Sequence, residues 1–189
     1  NQVIPSRDEI SEALQNVDYH SIEIKNGEIS SGTKQIDLGG IAKGYIADRA
    51  TEYLKENGAE NALVNFGGNI CMIGEYNIGI QKPFDDSVIA SIALKDKCVV
   101  TSGIYERYIE SDGKIYHHIL DPKTGYGAEN ELASVTVIGE KALDCDALST
   151  VCMLLGTEDG LEIINHTADT EAVFIDHGKN ITLSSGLYR

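Results

Sequence analysis

Apolar residues recur at helical spacing in four segments of the chain, and these segments predict four helices. The first begins at Ser6, which is followed three residues later by Glu9, as in a capping box. The second follows a glycine-rich turn and ends before Gly58, since glycine commonly follows the last residue of a helix. The remaining two cover residues 143–155 and 158–165.

Alternation of apolar and polar residues predicts strands in most of the remaining chain. The turn dipeptides Asn26-Gly27 and Asp112-Gly113 each separate two such stretches, as in a hairpin. The predicted strands are 19–25, 28–31, 62–66, 70–73, 77–81, 89–94, 98–101, 104–110, 114–120, 134–138, 172–176 and 181–184. Hairpins interspersed with few helices favour an α+β fold over a doubly wound parallel sheet. The length of 189 residues fits one domain over residues 1–189.

Residues 37–50 join a glycine-rich turn to the second predicted helix. We expect Gly39-Gly40 to permit positive φ and a close approach of the backbone to a ligand. Free N–H groups at a helix N-terminus, with Lys43 nearby, suit a phosphate. The spacing is neither that of a P-loop nor that of a dinucleotide-binding motif. The alternative is a strand-to-helix turn in which glycine only allows the elements to pack.

A second candidate site lies at the start of the third predicted helix. Asp146 and Thr150 are four residues apart, so their oxygen atoms share one face of the helix. A carboxylate beside a hydroxyl suits a hard cation such as Mg²⁺ or Ca²⁺. The alternative is that Asp144 and Asp146 only stabilise the helix N-terminus.

A histidine pair, His117-His118, lies on a predicted strand, where the two side chains point to opposite faces. They are therefore unsuited to share a metal ion. An inward histidine is often a hydrogen-bonded core residue, but near a metal and phosphates it could deprotonate a hydroxyl group.

The net charge of −15 argues against a nucleic-acid partner, which requires a basic face, and against docking to anionic lipid. The four cysteines show no C-x-x-C spacing, so we expect small buried apolar residues rather than a disulfide framework. Cys145 and Cys152 are two helical turns apart, too far to pair. The chain shows no signal-peptide pattern and no long apolar run, and it does not begin with Met.

Five motifs stand in a recognisable order along the chain. They are DLGGIAKGY at 37–45, VNFGGNI at 64–70, TSG at 101–103, HILDPKTG at 118–125 and DALST at 146–150. In this order the chain resembles the ApbE family, the FAD:protein FMN transferases, from about residue 5 to the C-terminus. The resemblance implies a T-fold-like α+β architecture with a mostly antiparallel sheet and packed helices.

The resemblance also implies a reaction and a set of site residues. The family cleaves FAD in a Mg²⁺-dependent reaction, transfers FMN to a Thr or Ser hydroxyl of an acceptor flavoprotein and releases AMP. The positions that match the family's metal ligands are Gly40, Asp146 and Thr150. Those that match its FAD contacts are Asp37, Lys43, His118 and Ile119, with His118 as the base. Because the metal ligands come from two segments, we expect the helices after Gly44 and Leu143 to lie side by side.

Family members usually carry a longer N-terminal portion with a Met-Gly-Thr segment, so the resemblance suggests that this chain is a fragment. Two alternatives to the transferase stay open: a Mg²⁺-dependent FAD pyrophosphatase that yields FMN and AMP, and a catalytically silent flavin-binding module. The resemblance implies an exported, membrane-anchored or periplasmic protein, with any membrane anchor outside this chain.

Overall fold

A six-stranded antiparallel sheet forms the centre of the protein in the computed structural model, which describes residues 4–32 and 34–188. The strands of the protein are β1 (Glu23–Lys25), β2 (Glu28–Ser30), β3 (Ala62–Asn65), β4 (Asn69–Ile73), β5 (Glu75–Gln81), β6 (Val88–Lys95), β7 (Cys98–Gly103), β8 (Tyr108–Ser111), β9 (Lys114–His117), β10 (Leu132–Gly139), β11 (Glu171–Asp176) and β12 (Ile181–Leu183). The central sheet has the order β12-β11-β10-β7-β4-β3, and β1-β2, β5-β6 and β8-β9 form separate hairpins.

Four helices complete the fold: α1 (Arg7–Leu14), α2 (Ala42–Glu56), α3 (Ala142–Leu155) and α4 (Thr157–Asn165). The predicted capping box of α1 is present, since Glu9 N–H donates to Ser6 Oγ and Ser6 N–H donates to the Glu9 carboxylate. The α+β class with an antiparallel sheet is confirmed. No helix within the described residues is both long enough and apolar enough to cross a membrane.

The central sheet carries apolar residues on both faces because both faces are covered. Val100, Val135 and Val137 lie on the face that packs against the helices. Val99 and Ile138 lie on the opposite face and pack against the β5-β6 hairpin. This double coverage explains why all eight residues of β10 are buried.

Helices α2 and α3 lie in direct contact, as expected from the sequence. A Cβ atom on Gly44 would lie 2.4 Å from the Ala142 carbonyl oxygen, so only glycine allows this approach. Asp48 of α2 fixes the start of α3, because its carboxylate accepts hydrogen bonds from the N–H groups of Ala142 (2.7 Å) and Leu143 (2.9 Å). A helix N-terminus favours such a negative charge. The two helices are therefore held in one arrangement by backbone contacts.

Three sequence-based expectations about local structure were wrong. Residues Tyr19–Ser21 form a short 3₁₀ turn rather than the start of a strand, because the Asp18 side chain accepts a hydrogen bond from His20 N–H. Residues 104–107 form a turn, so β8 begins later than predicted. Strand β9 ends at His117, because the chain then curves into a loop in which the Asp121 carbonyl accepts the N–H group of Gly125.

The expectation for the cysteines was correct for one pair only. Cys145 and Cys152 are buried free thiols. Cys71 and Cys98 form a disulfide, which corrects the prediction of unpaired residues. Strands β4 and β7 place the two cysteines opposite each other in the ladder, and this register is a long-range property that cysteine spacing does not reveal.

Candidate active site

The glycine-rich turn before α2 is built around the Asp37 carboxylate. Asp37 Oδ1 accepts the N–H group of Gly39 at 2.6 Å. A Cβ on Gly39 would lie 2.9 Å from this oxygen, whereas a Cβ on Gly40 would meet no atom within 4 Å. Neither glycine has a positive φ, so that expectation was wrong. Glycine at position 39 instead allows the close approach of the aspartate to its own turn.

Asp146 joins this turn to α3. Its side chain is 5% exposed, and its Oδ2 accepts the N–H group of Gly44 at 2.9 Å. That N–H therefore points at Asp146 and not at the Gly40 carbonyl one turn earlier, which leaves the carbonyl oxygen available to a ligand. A carboxylate at the N-terminus of α2 is also favoured by the helix dipole. Two of the three predicted metal ligands thus come from segments in direct contact.

A cluster of hydroxyl groups surrounds the third predicted ligand, Thr150. Ser102 Oγ lies 2.8 Å from Ser149 Oγ and 3.3 Å from Thr150 Oγ1. Both Ser149 and Thr150 donate to the main-chain carbonyl of Asp146, at 3.0 and 3.2 Å. Strand β7 thereby supports the helix turn that carries Asp146. The carboxylate, hydroxyl and carbonyl oxygens gathered here fit a hard cation such as Mg²⁺.

Lys43 connects the turn to a second glycine-rich segment. Its Nζ donates to the Gly67 carbonyl at 3.2 Å. At the next residue of that segment, Glu106 Oε1 lies 3.5 Å from the position that a Cβ on Gly68 would occupy. The loop between β3 and β4 therefore lies close to both a lysine and a glutamate.

Glu106 is a residue that sequence reasoning did not identify. Desolvation raises the pKa of its carboxyl group, while the positive charges of Lys43, His118 and Arg107 act in the opposite direction and Asp146 acts with it. Three predicted site residues therefore contribute to the electrostatic potential at Glu106. The only local signal was its position three residues after the Thr101-Ser102-Gly103 motif.

The two histidines differ in environment and in the free ring nitrogen. His118 is exposed, and its Nδ1 lies 3.1 Å from the Arg107 carbonyl. Because a carbonyl can only accept, neutral His118 carries its proton on Nδ1 and leaves Nε2 as a base. His117 is partly buried, with Nε2 on the Ala128 carbonyl at 3.2 Å. Burial lowers the pKa of His117, since a charged ring would be poorly solvated there.

The side chain of Ile119 is 5% exposed and belongs to the helix-facing core. Ile119 is therefore a core residue, and its carbonyl accepts the N–H group of Ala128 at 3.0 Å. Asp37, which was also predicted to contact FAD, is exposed and accepts a hydrogen bond within its own turn. The structure thus joins Asp146 and Thr150 to the turn that carries Lys43, whereas Asp37 contacts its own turn and Ile119 lies in the core.

An open groove of about 600 Å³ has His118 among its lining residues. Its lining includes Tyr108, Tyr116 and Tyr126, together with Glu106 and His118. Aromatic walls of this kind suit a flat ring system. The groove therefore offers an aromatic binding surface that has His118 in its lining.

Comparison with known proteins identifies the family of this fold and site. The model of the ApbE family matches residues 1–174. An FAD:protein FMN transferase of Klebsiella pneumoniae (strain 342) is 49% identical over 153 residues, covering 80% of this chain and 48% of the relative. A second, from Treponema pallidum (strain Nichols), is 33% identical over 209 residues, covering 97% and 58%. The chain spans about half the length of these curated relatives.

Solved structures agree with the sequence comparison. The ApbE protein of Thermotoga maritima superposes with a TM-score of 0.90 and 36% identity, covering 100% of this chain and 64% of that one. The flavin transferase ApbE of Vibrio cholerae superposes with a TM-score of 0.86 and 28% identity, covering 100% and 63%. With a family match over most of its length and the same fold, the chain belongs to the ApbE family.

Proposed function

We propose that this chain carries the metal- and phosphate-binding part of a Mg²⁺-dependent FAD:protein FMN transferase. The observation that supports this most directly is the contact between Gly44 N–H and the buried Asp146 carboxylate. It joins two motifs 102 residues apart into one oxygen-rich site. Gly40 O, Asp146 and Thr150 would hold the cation, and a cation so bound would neutralise charge on the FAD pyrophosphate and on the departing AMP.

The side chains of this site have separate roles in the proposed reaction. Lys43 is close enough to the glycine-rich turn to pair with a phosphate group as a point charge. His118 removes the proton of the acceptor's Thr or Ser hydroxyl at Nε2, because its Nδ1 is occupied by the Arg107 carbonyl. The hydroxyl oxygen attacks the phosphorus nearer riboflavin, a phosphoester forms, and the bond to AMP breaks. The tyrosine-lined groove would receive the flavin ring.

The proposal includes an acceptor protein and a cellular location. The acceptor would be a flavoprotein with a Thr or Ser attachment site. A location outside the cytoplasm is part of the proposal, and the Cys71–Cys98 disulfide supports it because disulfides persist in oxidising compartments. An anchor outside this chain would provide any membrane attachment.

The products of one assay distinguish the possible activities. The chain is mixed with FAD, Mg²⁺ and an acceptor flavoprotein domain, and the products are separated by gel and by chromatography. A fluorescent acceptor band with AMP supports the transferase. Free FMN without a labelled acceptor identifies a pyrophosphatase instead. Neither product, in a sample that binds FAD by fluorescence titration, identifies a silent flavin-binding module and contradicts the proposal.

The two histidines provide a matched pair of variants for the same assay. His118→Ala should slow FMN transfer by about 10²–10⁴-fold, the usual contribution of a general base. FAD affinity should change little. His117→Ala should transfer at nearly the rate of the unmodified protein, because its free Nδ1 is buried. A larger loss in His117→Ala than in His118→Ala would show that the base is wrongly assigned.

A further inference from the structure

Asn69, the first residue of β4, is fully buried at 0% exposure. Neither its Oδ1 nor its Nδ2 has a hydrogen-bond partner anywhere in residues 4–32 and 34–188. Because leaving a buried polar group unpaired is costly, such a carboxamide is expected to have a partner outside the protein chain. The backbone carbonyl of Asn69, in contrast, is hydrogen-bonded, since it accepts the N–H group of Phe66 at 2.9 Å. The carboxamide is therefore expected to bind a group that is not part of the protein chain, such as a water molecule.

The register of the sheet shows which way the carboxamide points. Asn69 pairs with Val100, and Cys71 pairs with Cys98 two residues along. Val100 and both cysteines belong to the core beneath α2 and α3. Side chains two residues apart on a strand share a face, so Asn69 also points toward these helices.

The same ladder shows the level at which Asn69 meets α3. The Cys71–Cys98 row lies at the helix start, because Cys98 Sγ is 3.9 Å from Asp48 Oδ1 and Asp48 holds Ala142 N–H. On the other side of Val100 along β7, Ser102 contacts Ser149 and Thr150. The Asn69–Val100 pair lies between the Cys71–Cys98 pair and Ser102 along the sheet. Asp146 likewise lies between Ala142 and Ser149 along α3. Asn69 therefore lies beneath the turn of α3 that carries Asp146.

We propose that Asn69 is a positioning residue for the Asp146 carboxylate, to which it is linked through one buried water molecule. The site is polar enough to bind such a water, since Asn69, Asp146 and the hydroxyl groups around Ser102 offer donors and acceptors. Asp146 Oδ2 is already oriented by Gly44 N–H. A second hydrogen bond from beneath would fix the plane of the carboxylate and direct its other oxygen toward a cation, as outer partners of metal-binding carboxylates do. This inference rests on the proposed function.

The first test replaces Asn69 by an apolar residue of similar volume. Cation-free Asn69→Leu in EDTA should unfold within a few degrees of the unmodified protein, because the water leaves with the carboxamide and an apolar side chain of similar shape fills the space. Its affinity for Mg²⁺, measured as the Mg²⁺-dependent rise in unfolding temperature and by Mn²⁺ competition, should fall by about 10–100-fold. Affinity within twofold of the unmodified protein would overturn the inference.

Ser134 provides a matched control. Its hydroxyl is buried like the Asn69 carboxamide, and the polar group that it approaches is Tyr105 rather than a proposed metal ligand. It lies on β10 next to Val135, which faces the helices, so Ser134 faces the opposite side of the sheet. Ser134→Ala should leave Mg²⁺ affinity unchanged. An equal loss of affinity in Ser134→Ala would show a general effect of core substitution and overturn the inference.

Three further outcomes keep the inference separate from folding and from the proposed function. If Asn69→Leu does not fold, Asn69→Ala supplies the test, with the same expected loss and the same refuting result. If the unmodified protein shows no Mg²⁺-dependent stabilisation, the proposed metal site fails and this inference fails with it. If the Mg²⁺ response is present and survives both Asn69 substitutions, only the inference fails.

Discussion

Replacing Gly44 by alanine tests the helix contact on which the site depends. The added Cβ would lie 2.4 Å from the carbonyl oxygen and 2.8 Å from the carbonyl carbon of Ala142. Both are backbone atoms, and Asp48 holds the N–H groups of Ala142 and Leu143. The start of α3 therefore cannot shift without losing the contact with Asp48. The substitution has to separate α2 from α3.

The magnitude follows from three opposing contributions. Alanine stabilises an exposed helix by about 1 kcal/mol relative to glycine. Overpacking a buried contact costs about 1–3 kcal/mol. Losing the hydrogen bond from Gly44 N–H to the Asp146 carboxylate costs about 1.5–3 kcal/mol, as expected for a charged acceptor. The net loss is about 1.5–5 kcal/mol, or about 3–20 °C in unfolding temperature for a protein of this size.

Thermal unfolding in the presence of EDTA measures this effect without any contribution from a cation. Gly40→Ala is the control, because a Cβ there would meet no atom within 4 Å and the φ of Gly40 is not positive. It should unfold within a few degrees of the unmodified protein. If Gly44→Ala unfolds at the temperature of Gly40→Ala, the helices can separate freely and the close packing argument is refuted.

Three other predictions concern separate parts of the molecule. Asp146→Ala should abolish Mg²⁺-dependent FAD cleavage while the exposed Asp144→Ala retains most of it, and equal activities would contradict the ligand assignment. Burial holds the pKa of His117 below its unfolded value of about 6.5, so the unfolded state takes up the proton first. Stability should therefore fall as the pH drops below about 7, and less so in His117→Gln, as denaturant titrations at several pH values would show. Reduction of the disulfide between Cys71 and Cys98, which are 27 residues apart, should cost about 3.5 kcal/mol, and the reductant should not destabilise a Cys71→Ala/Cys98→Ala variant further.

Local chemistry explains which parts of the fold could be predicted from the sequence. Ser6 and Glu9 form a capping box because the two side chains need only each other's backbone. Gly58 follows α2 with φ +81°, as a residue after a helix end often does. The Asn26-Gly27 turn has positive φ at both residues, as this dipeptide predicts. Each of these features depends on neighbours only a few residues away.

The features that sequence reasoning missed depend on distant partners. Cys71 meets Cys98 only because β4 lies next to β7 in a particular register. The burial of Asn69 depends on two helices that cross its strand. Glu106 approaches the site from a turn after β7 and is distinguished by the charges of Lys43 and His118. No pattern of spacing within one segment could have indicated these contacts.

The glycine-rich turn shows why the order of several motifs was more informative than any single motif. Taken alone, its glycines fitted either a ligand-binding turn or a packing contact, and the structure shows that packing accounts for Gly39 and Gly44. Gly40 has no such packing role, since a side chain there would meet no atom. Packing and binding are thus not alternatives in this segment: Gly44 brings α3 close enough for Asp146 to accept its N–H, and that bond frees the Gly40 carbonyl. A glycine pattern that serves both helix packing and ligand binding matches neither the P-loop nor the dinucleotide-binding motif. The segment that carries Asp146 is therefore needed to interpret it.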